Sequence, residues 1–399
     1  MVTAFVDLVG LLMVIPLLPF YAERLGGGGL EVGELVASFS IAQLFSAPLW
    51  GRVSDRYGRR PALLIGLASS AVAYVVFAYA DTLWLLLVSR LVQGAGGGTV
   101  GVIQAYVADA TAPEDRAKSF GWLSASSNLG VMIGPVLGSL AYRLSIHAPG
   151  LLAAGLCTVN LLFAWYFLRE SHDLTQAHAS GRTPERSRDA VRRVITHSSQ
   201  PAPRLIWIYA LSMGSFQGMT TVLALFLALR FGVDEASIGY VFMYIGALGV
   251  VARAGVLGPA VKRLGEPRLS RVGTVLLASG LAVIPFSRGY VSLALAIGLV
   301  PLGTAFLFPC VTALLSRVIG SHERGLYLGV QQTFGGVARV VGPLWGGWAY
   351  DHLGVGVPFW TGAAIVLGTL ALGLGMEEYT RPTVTSSPGA VPRSGSSRQ

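Results

Sequence analysis

From Val355 to Met376, and again from Val275 to Ser287, the chain carries no charged side chain. A helix on the surface of a soluble domain needs a polar face, so it does not run that long without one. About 20 mostly apolar residues carry a helix across a bilayer, because the hydrocarbon core is roughly 30 Å thick and each residue rises about 1.5 Å. Such stretches, set apart by charged or Pro/Gly punctuation, occur near 3–22, 32–53, 61–80, 82–108, 120–142, 148–168, 205–229, 237–261, 271–287, 289–316, 325–350 and 355–376. The tight connections at 81 and 288 predict helical hairpins. Only 12% of the 399 residues are charged, against 53% hydrophobic. That balance excludes disordered, collagen-like and disulfide-framework chains. What remains is an all-α polytopic membrane protein with twelve transmembrane helices.

Basic residues orient the spans. If both termini face the cytoplasm, twenty-two of the 29 Lys+Arg fall in the inner loops and tail. Only Arg24, Arg143, Arg230 and Arg288 fall in the outer loops. The positive-inside rule therefore predicts cytoplasmic termini. The +9 net charge then reflects topology and implies no nucleic-acid partner. Every basic residue except Lys118 and Lys262 is arginine, a bias expected of a GC-rich bacterial genome and hence of a bacterial cytoplasmic membrane. Cys157 and Cys310 both lie in apolar stretches, which suggests neither a disulfide nor a metal site. Val2-Thr-Ala-Phe5 shows no basic leader region or small-residue cleavage site, so span 1 is expected to be retained. Residues 169–204, with seven arginines, read as a cytoplasmic linker. Residues 377–399, rich in Ser, Pro and Gly, read as a disordered cytoplasmic tail. No outer loop is long enough for a folded domain.

Three landmarks recur at nearly one offset. Gly51-Arg-Val-Ser-Asp-Arg-Tyr-Gly58 returns as Gly258-Pro-Ala-Val-Lys-Arg-Leu-Gly265, shifted by 207. Asp115-Arg116 returns as Glu323-Arg324, and Gly134-Pro135 as Gly342-Pro343, both shifted by 208. Such constancy implies a duplicated unit: two pseudo-symmetric six-helix bundles over 1–168 and 205–376. In transporters built this way the substrate binds between the halves near the bilayer midplane.

The motifs themselves resemble a known family. Gly51-Arg-Val-Ser-Asp-Arg-Tyr-Gly-Arg-Arg-Pro61 is similar to the signature loop between helices 2 and 3 of the major facilitator superfamily. Arg90-Leu-Val-Gln-Gly94 looks like that family's helix-4 motif. Gly130-Val-Met-Ile-Gly-Pro-Val-Leu-Gly138, with its small or kinked positions Gly130, Gly134, Pro135 and Gly138, resembles the helix-5 motif of exporters. Asp7-Leu-Val-Gly10, followed by Ile15-Pro-Leu-Leu-Pro19, resembles the first helix of drug:proton antiporters, especially the tetracycline-resistance branch. The resemblance implies a monomeric secondary transporter in the lipid bilayer, moving a small-molecule substrate. It implies a proton gradient in place of any cofactor, and no enzymatic activity. It also implies that Asp55 and Arg59, following Gly51, join Asp109 in a charge relay that latches the inner ends of the halves in the outward-open state. An acid placed against a helix N-terminus of the facing half is favoured by the helix dipole. The second copy departs from the pattern, with Lys262 in place of the acid and Glu266 in place of the arginine. Tetracycline exporters carry further embedded acids in helices 3 and 9. Here Ser69-Ser-Ala-Val-Ala-Tyr74 and all of span 9 lack one, which points away from tetracycline itself.

Few polar residues remain inside the spans to drive a mechanism. Asp7 is the one acid within a span away from both ends, and all six histidines (His147, His172, His178, His197, His322, His352) lie in loops or the linker. A carboxylate in a low-dielectric site can take up and release protons near neutral pH, which an arginine cannot. Asp7 is therefore the expected proton-coupling residue; the plainer readings are a first-turn cap or a partner for an arginine. On span 4, Arg90, Gln93, Gly94, Gly97, Gly101 and Gln104 fall within about 60° of one direction. They read either as cavity lining, with Arg90 ordering Asp7 or touching substrate, or as a small-residue packing seam. Gly96-Gly-Gly-Thr-Val-Gly101 fits a dinucleotide fingerprint, but that motif needs a strand-to-helix turn, and here it lies mid-span. In the second half Arg253, Arg339, Gln332, Gln217 and Thr221 are candidate cavity polars. Phe39, Phe216, Tyr240, Tyr244 and Phe334 are candidate apolar lining. Three deep arginines favour a substrate with an anionic or electron-rich group, unless they pair with backbone carbonyls. The expected function is proton-driven export of small amphipathic molecules. The rival reading is an importer or facilitator of an organic anion on the same fold. A membrane enzyme or receptor is disfavoured, since no outer domain or loop His/Asp/Cys cluster is present.

Overall fold

The computed structural model describes residues 1–375 apart from 98–99, 113, 169, 171–183, 198 and 321–322. The expected tail at 377–399, the centre of the linker, Gly98 of the rejected fingerprint, and His172, His178 and His322 lie outside the described residues. Among the described residues there is no strand, the helices fall into twelve successive segments, here numbered as spans, and nine helices are long and apolar enough to cross a membrane. The first six are Val2–Arg24, Gly29–Tyr57, Arg59–Ala78, Leu83–Asp109, Arg116–Tyr142 and Ala148–Phe167. The second six are Pro201–Phe231, 238–264, 266–286, Tyr290–Val318, Arg324–His352 and Val357–Leu372.

Local chemistry sets these boundaries. Spans 8 and 9 form one run, Ile238–Phe286, broken at Gly265, whose φ of 74° only glycine adopts without strain. Gly58, with φ 101°, makes the equivalent turn between spans 2 and 3. Span 1 tightens to a 3₁₀ turn at Ile15–Leu17, where Pro16 removes a backbone donor. Span 8 carries a π-turn at Ala252–Val256 around Arg253. In the linker, helix Pro184–Thr196 buries Ala190 and Val194, and the Trp207 indole donates to the Val194 carbonyl at 3.1 Å.

Within each half, span 1 packs on spans 5 and 6, and span 7 packs correspondingly on spans 11 and 12. The two halves meet along two seams, span 2 with span 11 and span 5 with span 8. Glycines allow the close approach. A Cβ on Gly138 would stand 2.2 Å from the Met13 carbonyl oxygen, and one on Gly342 would stand 2.2 Å from that of Gly214. Across the halves, a Cβ on Gly239 would meet the Pro135 oxygen at 2.2 Å, and one on Gly33 the Pro343 oxygen at 2.5 Å. All four cross-half residues lie towards the end opposite the signature loop. At the signature-loop end, a Cβ at Gly51, Gly121, Gly258 or Gly329 would meet no neighbour within 4 Å. The halves are thus joined at one end and apart at the other.

Gly138→Ala should cost about 2 kcal/mol, because overpacking against backbone cannot relax by moving a side chain. Gly155→Ala, where space is open, should be neutral. Thermal denaturation of the purified protein in detergent distinguishes the two.

Candidate functional site

The signature loop folds into a relay of charges. Gly58 lets the chain turn into span 3, whose first amides need acceptors. Glu170 supplies them, accepting from Arg59 N at 2.8 Å and Arg60 N at 3.1 Å. A Cβ on Gly58 would collide with that carboxylate at 2.4 Å. Arg59 is then held between two acids. Its Nη1 contacts Asp55 Oδ1 at 2.5 Å, and its Nε contacts Asp109 Oδ2 at 3.0 Å. Its Nη1 also donates to Ser54 Oγ at 2.8 Å. The relay expected at Asp55, Arg59 and Asp109 is thus assembled inside one half.

The second copy keeps one pair of this relay with its charges reversed. Glu266 Oε1 pairs with Arg317 Nη2 at 2.5 Å. Glu266 stands 207 residues after Arg59, and Arg317 stands 208 after Asp109. Lys262 likewise replaces Asp55. Every charge of the triad is inverted, and the attraction survives. Arg317 escaped the sequence reading, although the constant offset pointed to it.

Asp7 sits half-buried in the second turn of span 1, three residues before Gly10, where a Cβ would lie 3.5 Å from the Tyr74 hydroxyl and 3.7 Å from the Cys157 thiol. Among the described residues Asp7 has no hydrogen bond or ion pair. Gly130, Gly134 and Gly138 of the helix-5 motif all face span 1, against Phe5, Val9 and Met13. Pro135 faces span 8 at Gly239. The motif therefore grips the helix that bears Asp7 and forms a cross-half seam at once.

Arg90 and Gln93 differ from the expected cavity lining. Both are buried, at 1% and 4% exposure. Arg90 Nη1 donates to Gln93 Oε1, and its guanidinium lies 4.7 Å from the Phe39 ring centre. It does not order Asp7 directly. The reason is the glycine face beside them: Gly94 lets span 2 approach until the Phe39 oxygen would stand 2.3 Å from a Cβ. Trp50, Gln43 and Ser46 then donate to the Ala95, Gly97 and Gly94 carbonyls. This stretch of span 4 is a packing seam, whereas Gln104, beyond it, is exposed.

In the second half, Thr221 donates to the Gln217 carbonyl at 2.7 Å, so its hydroxyl is satisfied by backbone. Gln217 is half-buried and Gln332 exposed. Its neighbour Gln331, missed from sequence, is fully buried and accepts from Thr312 at 3.3 Å. Arg339 is half-buried and Arg253 exposed, and neither has a carboxylate partner among the described residues. Phe334 packs edge-on against Trp207, Phe216 joins the core, and the Tyr244 hydroxyl donates to the Ala294 carbonyl. Tyr240 is exposed.

Comparison with known proteins agrees with this architecture. The Major Facilitator Superfamily profile matches residues 1–299 and 254–395. The chain belongs to the major facilitator superfamily. It is 33% identical to the class C tetracycline resistance protein of Escherichia coli, covering 86% of each chain. It is 30% identical to the class B protein of the same organism, over 92% of this chain and 91% of that one. Multidrug resistance protein 2 of Bacillus subtilis (strain 168) is 27% identical, over 93% and 92%. The structure of the human organic anion transporter MFSD10 (TETRAN) superposes with a TM-score of 0.70 at 25% identity, covering 93% of this chain and 97% of that one. Members of the superfamily are membrane transporters of small molecules that generally need no cofactor, and this chain is a polytopic member of that kind.

The inverted relay predicts a compensating pair. Glu266→Arg or Arg317→Asp alone should slow transport and lower stability by about 0.5–1 kcal/mol, as expected for a partly exposed pair. The double variant should recover most of both losses, measured as a double-mutant cycle.

Proposed function

We propose that the protein is a proton-coupled antiporter that exports small amphipathic molecules by alternating access, with Asp7 as its proton carrier. The observation that carries this reading is Asp7 itself, embedded in span 1 without a cation among the described residues. A carboxylate clamped by arginine would keep its charge, whereas one without such a partner can exchange a proton with its surroundings. The helix-5 glycines hold span 1 against a cross-half seam, so a change at Asp7 is felt where the halves meet. Export is supported by the tetracycline and multidrug resistance relatives. A structure joined at one end and open at the other is compatible with halves that rock about a midplane site.

In this reading both termini and the signature loop face the cytoplasm of a bacterial cell, and the open end faces inward. The monomer uses Gly51, Asp55, Arg59 and Asp109 as the inner latch. Gln104, Gln217, Gln332, Arg253 and Arg339 line the substrate path. A compound-susceptibility panel on cells with and without the protein supplies a substrate. Everted vesicles with an acid interior should then accumulate it, as protons leave the lumen. Asp7→Asn, at equal expression, should reduce accumulation to the level of empty vesicles. Proton-driven accumulation by that variant at the wild-type rate refutes the role of Asp7.

A second reading, transport of an organic anion, is favoured by Arg253 and Arg339, which lack carboxylate partners among the described residues. The similarity to a human organic anion transporter also supports it. Arg339→Gln should then raise KM for an anionic substrate about tenfold, the worth of one charge-assisted hydrogen bond. Neutral amphiphiles should be unaffected; an equal loss for both classes argues against an anion site.

A further inference from the structure

Span 2 begins at the last of four consecutive glycines, Gly26 to Gly29, a run that neither the signature loop nor the embedded polar residues explain. Its first amides have no intrahelical acceptor. Gly28 N donates to Glu31 Oε2 of its own first turn at 2.7 Å. The next two are met from the other half: Gly29 N donates to Asp351 Oδ1 at 2.8 Å, and Leu30 N to Asp351 Oδ2 at 2.7 Å. The glycines make room for this. A Cβ on Gly28 would lie 3.0 Å from the Asp351 carboxylate, and one on Gly29 would lie 2.9 Å from it. A Cβ on Gly347, one turn before Asp351, would meet the Gly29 carbonyl at 2.0 Å.

The other seam has a neutral counterpart. Ser139, 208 residues before Gly347, accepts from Gly239 N at 2.9 Å near the start of span 8. It also donates to the Glu235 carbonyl at 2.6 Å. Each seam thus closes with the far end of one helix capping the beginning of another, by a hydroxyl in one case and by both oxygens of a carboxylate in the other. The carboxylate contact is the stronger, because it is charge-assisted and aligned with a helix dipole.

We propose that Asp351 is the latch of the end opposite the signature loop: its carboxylate ties the halves together by capping span 2, and it must let go before that end can open. The proposal rests on the alternating-access reading above. Asp351 acts on the position of the helices and touches no substrate.

The test reads both ends of the span 2–span 11 seam. Ser40 is buried on the face of span 2 that carries Gly33 and Leu44, beneath the latched end. Gln332 is exposed on the face of span 11 that carries Gly336 and Pro343, where the seam has opened. Ser40→Cys and Gln332→Cys, each in a Cys157→Ala/Cys310→Ala background, report the two ends through their rates of reaction with N-ethylmaleimide in the purified full-length protein. Asp351→Ala should raise the rate at position 40 and lower it at 332, moving their ratio about fivefold, the equilibrium worth of one helix cap. Asp351→Asn, which keeps one acceptor oxygen, should move the ratio less and in the same direction. An unchanged ratio overturns the latch. A rise at both positions also overturns it, since that marks loosened packing. Asp55→Asn, at the opposite end, separates failure of the latch from failure of alternating access. If neither variant moves the rates, alternating access fails; if only Asp55→Asn moves them, alternation stands and the latch at Asp351 falls.

Discussion

Close contacts in both halves place a backbone carbonyl where a glycine lacks a Cβ. Met13 O stands over Gly138, Gly214 O over Gly342 and Phe39 O over Gly94. Between helices in lipid there is no hydrophobic gain to be had, so association rests on close packing and on weak Cα–H···O contacts. The 51 glycines are how this chain achieves it. The other features depend on that approach. The grip of span 5 fixes span 1 and with it Asp7, and the span 2–span 4 seam buries Arg90. The turn of span 5 that presents Gly134 and Gly138 to span 1 presents Pro135 to Gly239 across the halves. Rigidity within a half and contact between halves therefore come from one short stretch of sequence.

Much of this was legible in the chain. Charge-free runs defined the spans, and offsets of 207 and 208 identified the duplicated unit before any contact was known. Periodicity, however, places residues on a face without saying what that face meets. Arg90 and Gln93 share a direction with Gln104, but only Gln104 escapes the span 2 contact. Gln332 looked like the interior polar residue, whereas its neighbour Gln331 is the one that is buried. Arg317 was hidden by its sign: a search for a second copy of Asp109 looks for an acid, and the copy is a base. Asp351 was hidden differently. An acid at the end of a span resembles an ordinary boundary residue, and its proposed role follows only from the adjacency of spans 2 and 11, where Gly29 and Asp351 meet across 322 residues of sequence.

The inverted relay separates two kinds of electrostatic constraint. A relay closed within one half depends only on the relative sign of its members, so Glu266–Arg317 serves as well as Arg59–Asp109. A contact with a helix N-terminus depends on absolute sign, because the dipole favours anions there. Inversion therefore leaves each half internally intact while removing from the second half any acid equivalent to Asp55. In the proposed cycle, the span 2–span 11 seam then carries a carboxylate at each end, Asp55 for one state and Asp351 for the other. The span 5–span 8 seam is closed by the Ser139 hydroxyl and by the Pro135–Gly239 contact, with Tyr142 donating to Glu235 at 2.9 Å. In that cycle the two pseudo-symmetric seams differ in how they cap a helix start, one with a carboxylate and the other with a hydroxyl. At the signature-loop end, that difference follows from the sign reversal between the two copies of the loop.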